Sequence, residues 1–343
     1  MKTFSKISFA VLCFAFANTN AQDIHFSQFS QTPLQINPSQ TGFFEGFYRG
    51  SIHYKNQWGS MGKAYNTTAA SFDMPFQMKQ RKSAYFAAGL FFFADKAGDS
   101  GFGTTHIDLS GAGIVPLSAY MKVSGGINVA FTQQAVNISS LTFANQYTGT
   151  GFDPNIASNE NASNSFKYFD VGAGFSFQYS NAKNNIVRDD VRKLNMGIAG
   201  FHLNQPKQSF FAGGNNRLLP RYVFHADMRF DIPTTKFSVI GSALYMMQGP
   251  SMEITFGTGA RYRMQNGTKV TGAFSETALS LSCHYRFGDA IIPQFYFEFG
   301  NFAAGISYDL NISSYKEISH MNGGIEISIK YINLLDAIFE RRI

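Results

Sequence analysis

Charge is scarce in this chain: Asp, Glu, Lys and Arg make up 15% of its 343 residues, against about 25% in soluble proteins. Cysteine is nearly absent, with only Cys13 and Cys283, and Trp58 is the single tryptophan. Beyond the N-terminus no run approaches about 18 consecutive apolar residues, so a transmembrane helix is excluded. Mean hydropathy is −0.12, far below that of a helical membrane protein. There is no clustered basic patch of the kind nucleic acid requires. There is also no HExxH, no CxxC and no dense acidic cluster, so neither a metal site nor a cofactor site is expected. What the chain does have is 37 Phe and 32 Gly.

The N-terminal stretch MKTFSKISFAVLCFAFANTNAQ places Lys2 and Lys6 before an apolar run from Ile7 to Ala17, followed by small residues. That is the pattern of a secretory signal, with cleavage expected after Ala21. Removal of residues 1–21 leaves 26 basic against 22 acidic residues, a net charge of +4. It also leaves Cys283 alone, so no internal disulfide can staple the mature fold.

From residue 47 to 332 the dominant pattern has a period of two. In KYFDVGAGFSFQYS (167–180), Phe169, Val171, Ala173, Phe175, Phe177 and Tyr179 share one parity; Asp170, Gly172, Gly174, Ser176 and Gln178 share the other. A strand sends successive side chains to opposite faces, so one face is greasy and the other polar or tiny. The same alternation in 120–131, 221–231, 252–264, 278–287 and 323–331 contributes to a count of about fourteen strands of roughly ten residues, close to the length a tilted membrane strand needs. The longest interruption, 133–166, is rich in Asn, Ser and Thr and suits an extracellular loop.

Alternation alone fits either a sandwich or a barrel in lipid, and charge placement separates them. Lys55, Asp108, Lys122, Asp170, Asp227, Arg229, Arg261, Arg263, Arg286, Glu298, Glu326 and Lys330 all fall on the polar parity. Exclusion from the apolar parity is what lipid enforces, since Arg or Lys there costs about 2–4 kcal/mol at mid-bilayer. Only a closed barrel pairs every backbone group across a bilayer without helices. The expected fold is therefore all-β: a transmembrane antiparallel β-barrel of about fourteen strands, occupying 47–332 in the outer membrane and contacting its lipid. Tyr48, Trp58, Tyr85, Tyr120, Tyr168, Tyr222, Tyr262, Tyr308 and Tyr331 are expected to form interfacial girdles. Residues 22–46 carry Pro33, Pro38 and many amides and read as an irregular plug or periplasmic rim segment. Residues 333–343 read as a short tail.

The segment QDIHFSQFSQTPLQINPSQTG, followed by YRGSIHYKNQWGSM and TAASFDMP, resembles the PorP/SprF family of type IX secretion outer-membrane proteins. The matching positions are His25, Phe26, Ser27, Gln28 and Phe29, then Asn37, Pro38 and Gly42, then Tyr54, Asn56, Gln57 and Trp58, then Ser71 and Asp73. Gly323, Gly324, Glu326, Ile327 and Ser328 resemble the family's closing strand, although Ile325 stands where the family often has His. The resemblance implies a noncatalytic barrel. Its partners would be other secretion components and a secreted surface protein with a C-terminal sorting domain, gliding adhesins among them.

Individual residues carry narrower expectations. His25, Phe26, Gln28, Asn37, Pro38, Trp58 and Asp73 are expected to fasten the N-terminal segment and present a docking surface. Arg229, Arg261, Arg263 and Arg286 are expected to form a lumen salt-bridge lattice with Asp227, Glu298 and Glu326. The pairs His106/Asp108 and His225/Asp227 share inward faces but lack further ligands. Ser280, Ser282 and His284 share a face without a nucleophile elbow, so no catalytic site is expected. The Phe91-Phe92-Phe93 run is expected to break alternation and be buried on both faces. An occluded lumen is expected; a fatty-acid-type or general channel is the alternative.

Overall fold

The computed structural model describes residues 23–59, 64–76, 83–98, 101–138, 141–158, 163–181, 191–211, 213–265, 276–313 and 316–333. The signal segment and nearly all of the C-terminal tail lie outside these residues.

Fourteen antiparallel strands close into one barrel, each paired to its sequence neighbours and β1 paired to β14. They are β1 Arg49–Gln57, β2 Tyr65–Phe76, β3 Tyr85–Ala97, β4 Phe102–Pro116, β5 Met121–Ala135, β6 Ser165–Ser180, β7 Arg192–Phe201, β8 Arg221–Asp231, β9 Phe237–Gln248, β10 Ser251–Gln265, β11 Thr277–Arg286, β12 Ala290–Phe299, β13 Phe302–Asn311 and β14 Asn322–Ile332. Closure removes every edge strand, so no ladder group faces lipid unpaired. No helix among the described residues is long and apolar enough to cross a membrane.

The period-two pattern decides which face is which. On β5, Ile127 and Val129 are 65% and 53% exposed, whereas Ser124, Asn128 and Thr132 are buried. Phe86, Leu109, Phe169, Ile198 and Leu281 likewise stand outward. Lys55, Asp108, Lys122, Asp170, Arg261, Arg286 and Glu326 are buried within the barrel. The outside is thus an apolar band and the inside a charged, hydrogen-bonded interior.

Three local expectations change. The Phe91-Phe92-Phe93 run keeps the alternation. Phe91 is buried inside with Phe93 packed beside it, and Phe92 is half-buried on the other face. On the inward parity Phe91 packs with Phe26, Leu34 and Ala69, and Phe93 packs beside that group and stacks on His106. Tyr168 points into the interior, and Trp58 sits beyond β1 with a left-handed φ of 58°, so neither belongs to a lipid-facing girdle. Tyr48, by contrast, stacks on Tyr331 at the end where β1 begins, at 5.8 Å between rings.

The two barrel ends differ. The connection between β5 and β6 and that between β7 and β8, the longest described ones, lie at the end away from the β1 start and the β14 finish. Outer-membrane barrels carry long loops outside and short turns on the periplasmic side. The long-loop end is called the outer end and the opposite one the inner end.

Candidate functional site

Residues 23–44 run through the barrel interior from the outer end to the inner end. Three short helical turns, Phe29–Gln31, Pro33–Ile36 and Pro38–Gln40, give the segment its shape. Pro33 and Pro38 each begin a turn, where a missing N–H costs nothing. Phe26 and Leu34 pack with Ala69 and Phe91 of the wall, while Phe29 and Ile36 pack with Ala199, Phe201, Val223, Leu244 and Met246. Burying a large apolar side chain contributes about 1.5–3 kcal/mol, so these four residues alone hold the segment firmly. Phe43 packs against Ala87, Ala112 and Ile114 where the chain leaves the lumen.

Polar contacts fix its register. Glu326 of β14 accepts the backbone N–H groups of Ser27 (2.8 Å) and Gln28 (3.1 Å). The Gln28 amide donates to Ser307 Oγ and to the Glu326 carbonyl, while its own oxygen accepts from Ser328 Oγ. Ser27 Oγ donates to Asp309 at 2.8 Å, and Arg286 ties both together by donating to Ser27 Oγ (2.8 Å) and Asp309 (3.1 Å). Further out, His25 Nδ1 lies 3.3 Å from Glu253, and Lys55 donates to the His25 carbonyl at 3.0 Å. Burial, reinforced by the Lys55 and Arg286 charges, pushes the His25 imidazole well below its ordinary pKa, so it is neutral.

Asn37 is fully buried and does two jobs. Its side-chain oxygen caps the Pro38–Gln40 turn by accepting the Ser39 N–H at 2.9 Å. Its amide donates to the wall carbonyls of Phe175 (3.2 Å) and Ile198 (3.1 Å). The wall is shaped to receive it. A Cβ added at Gly174 would strike Asn37 Oδ1, one at Gly197 would lie 2.7 Å from Asn37 Nδ2, and one at Gly126 would lie 2.5 Å from the Pro38 carbonyl oxygen. These inward glycines make room for the segment, as glycine does where another backbone approaches a strand closely.

Asp73 secures the exit. It accepts from Arg49 Nε (2.9 Å) and Nη2 (2.7 Å) and from the Gly42 N–H (2.7 Å). Gly42 has φ of 64°, a conformation open to glycine. Arg49 also donates to the Gln40 carbonyl, so one ion pair clamps the turn that leads into β1.

At the outer end, His202 lies between two carboxylates: its Nε2 is 2.5 Å from Asp23 and its Nδ1 is 2.7 Å from Asp170. Arg221 is 3.2 Å from Asp23. Burial opposes the imidazolium, but the Asp23 charge and hydrogen bonding to both carboxylates raise His202 to about 9. Burial likewise opposes the Asp23 anion, and His202 and Arg221 outweigh it, leaving that carboxyl below its ordinary range. His202, Arg221 and Arg49 were not visible as site residues from sequence, because strand register and loop path bring them to their partners.

The expected lumen lattice is rearranged. Arg261 pairs with Glu298 (2.6 Å), as its face suggested, and also with Glu276 (2.9 Å). Arg229 takes Asp231 at 2.9 Å rather than Asp227, and Arg286 takes Asp289, Asp309 and Glu253. Glu326 is spent on backbone N–H groups, and Asp227 lies 4.0 Å from His225. Arg261 and Arg286 reach carboxylates two strands away, on β12 and β13, so position around the wall alone does not set the pairing. Arg263, with Arg261 and Lys193, lines an inner cavity of about 670 Å³. Trp58 lines a second cavity of about 590 Å³ at the outer end, edge-on to Tyr65 at 5.2 Å. The N-terminal segment lies between the two.

His284 Nε2 contacts Ser242 Oγ at 2.6 Å, not Ser280 or Ser282, and no group hydrogen-bonds its Nδ1. A hydrolytic triad needs a third residue to orient the base. His106 lies 4.0 Å from Asp108. Among the described residues no three His, Cys, Asp or Glu side chains converge to hold a metal.

An apolar exterior, a charged interior and a lumen filled by the chain's own N-terminal segment define an outer-membrane β-barrel with a built-in plug. The model of the family described as type IX secretion system membrane protein PorP/SprF matches residues 18–331, and the chain belongs to that family. No curated relative matches it. Among solved structures it is similar to the Pseudomonas putida toluene transporter TodX, at 10% identity and TM-score 0.47 over 89% of this chain and 93% of that one. It is similar also to a TodX deltaS2S3 mutant monoaromatic hydrocarbon channel, at 9% identity and TM-score 0.49 over 88% and 93%. A Pseudomonas aeruginosa FadL homologue aligns at 10% identity and TM-score 0.46 over 86% and 92%.

Proposed function

We propose that the protein is a noncatalytic accessory of type IX secretion. In this reading it binds protein partners at the outer membrane and supports the secretion or surface attachment of a particular class of surface protein, such as a gliding adhesin. Membership of the PorP/SprF family supports the assignment to the secretion system. The observation that carries the accessory role is the plug: Phe26, Gln28 and Asn37 are each at most 1% exposed, and wall glycines make room for Gln28 and Asn37. A barrel so filled works through its surfaces rather than by passing substrate. The inner rim, where the segment leaves the lumen beside Asp73, is the docking surface for periplasmic secretion components.

The test is deletion of the gene with an inventory of surface and secreted proteins. One class of cargo with a C-terminal sorting domain should fail to reach or stay on the cell while other secreted proteins still leave. An unchanged inventory would refute the role, and loss of every secreted protein would assign the barrel to the core machine instead. Affinity purification from membranes should recover secretion components with it.

A further inference from the structure

Residues 23–44 touch every strand of the barrel. They reach β12 through Gln294, whose amide donates to the Ser27 carbonyl at 2.9 Å. They reach β11 through Arg286 and through His284, which stands edge-on to Phe29 at 5.9 Å between rings. Near the inner end Thr41 Oγ1 donates to Ser110 Oγ of β4 at 2.8 Å, and Lys122 of β5 lies over the Phe43 ring. His25, Phe26, Ser27, Phe29, Asn37 and Gly42 meet the remaining strands.

The wall is incomplete without the segment. Phe91, Ala199, Phe201, Val223, Leu244 and Met246 point into the lumen and pack with Phe26, Phe29, Leu34 and Ile36. In an empty barrel those wall residues would face water, whereas an open outer-membrane channel has a polar lining. The inward glycines leave gaps of matching shape: a Cβ added at Gly305 would lie 2.7 Å from Gln28 Oε1. The wall therefore reaches close packing only with the segment in place.

Chain order gives the segment a part in closure. Every strand pair but one joins sequence neighbours; β1 and β14 alone must meet across most of the chain. Such a meeting costs chain entropy before its contacts can form. Residues 25–28 closely precede β1 and straddle this seam. On the β1 side Lys55 donates to the His25 carbonyl at 3.0 Å, and Phe26 packs on His53 at 5.6 Å between rings. On the β14 side Glu326 accepts the Ser27 and Gln28 N–H groups, and Lys330 donates to Gln31 Oε1 at 2.6 Å. A segment held beside β1 thus offers β14 its partners before the two strands pair.

We propose that residues 23–44 are an internal template for barrel closure: the strands assemble around the segment, and β14 docks on Ser27 and Gln28 before it pairs with β1. The role goes beyond secretion, and either can fail without the other.

Folding of the full-length chain from denaturant into detergent tests the order of events, in a Cys283→Ser background. Ile52→Cys with Ile329→Cys reports the seam, because these two residues are register partners exposed on the outside. Leu109→Cys with Val129→Cys reports the β4–β5 pair in the same way. A short bismaleimide captures each pair at set times. In a separate chain, Ile36→Cys is pulse-labelled with a maleimide, and its protection reports docking of the segment. Protection of position 36 should precede or coincide with seam capture. Asn37→Ala, which removes contacts to β6, β7 and β8 far from the seam, should lower seam capture about fivefold, the shift expected from removing buried hydrogen-bond partners. Capture of the β4–β5 pair should be unchanged. Seam capture ahead of protection at position 36 would overturn the template, and this arm holds even if Asn37→Ala does not fold. Full seam capture in an Asn37→Ala chain whose position 36 stays open to label would overturn it equally, since the barrel would then close without its plug.

Discussion

Asp73 grips the guanidinium of Arg49 at 2.9 and 2.7 Å while the second of those carboxylate oxygens also holds the Gly42 N–H. The carboxylate is fully buried and joins the plug to the first two strands. Removing one partner of a buried pair costs about 3–5 kcal/mol. Asp73→Ala is therefore expected to destabilise the barrel by an amount of that order. Denaturant unfolding in detergent should show it, and protease should cut near residue 42 more readily than in the wild type.

The glycine cradle offers a paired test. Gly174→Val would drive a side chain into Asn37, whereas Gly125, on the opposite parity of β5, has open space where a Cβ would stand. Gly174→Val should loosen the plug and produce ion conductance in planar bilayers, and Gly125→Ala should stay silent. Wild-type protein should show no large, steady current; such a current would support the channel reading instead.

The lipid face should reject charge. Ile127 is 65% exposed on the outside of β5. Ile127→Arg is expected to cost about 2–4 kcal/mol if it lies near mid-bilayer. Folding into lipid vesicles, followed by heat-modifiable migration on gels, should show a reduced folded fraction. Folding equal to wild type would contradict a lipid-facing exterior.

The outer tip of the plug should respond to alkali. His202 is raised from its ordinary 6.5 to about 9 by Asp23 and Asp170. A group raised in the folded state contributes fully below its unfolded value and loses that contribution as pH climbs through the folded one. Hydrogen exchange of residues 23–28 should therefore be slow near pH 6 and, after correction for intrinsic rates, gain extra opening toward pH 9–10. His202→Ala should abolish the pH dependence of that opening.

Much of the fold was legible because one rule repeats. All fourteen strands could be counted from alternation, since lipid outside and charge inside impose the same parity on each. The Asn37-Pro38 pair was legible as part of a motif, but its capping and wall contacts were not, because they depend on Ser39, Phe175 and Ile198 meeting in space. The Arg261–Glu298 pair was legible from the faces, but the partners of Arg229 and Arg286 were not, for the same reason. Face assignment shows that Arg229 and Asp227 point inward, but not that Asp231, 2.9 Å from Arg229, takes the guanidinium. Tyr168 was assigned to a lipid-facing girdle rather than to the outer cavity, because an aromatic side chain near a strand end looks alike whether it meets lipid or the interior.

By itself the order of residues determined that this chain forms a barrel, which face meets lipid and which family motifs it carries, because period-two patterning and the cost of charge in hydrocarbon act strand by strand. Only the tertiary structure decided what fills the barrel and which carboxylate each arginine takes. Those outcomes depend on closure of β1 onto β14, which brings Ser27 to Glu326, nearly three hundred residues away in the chain.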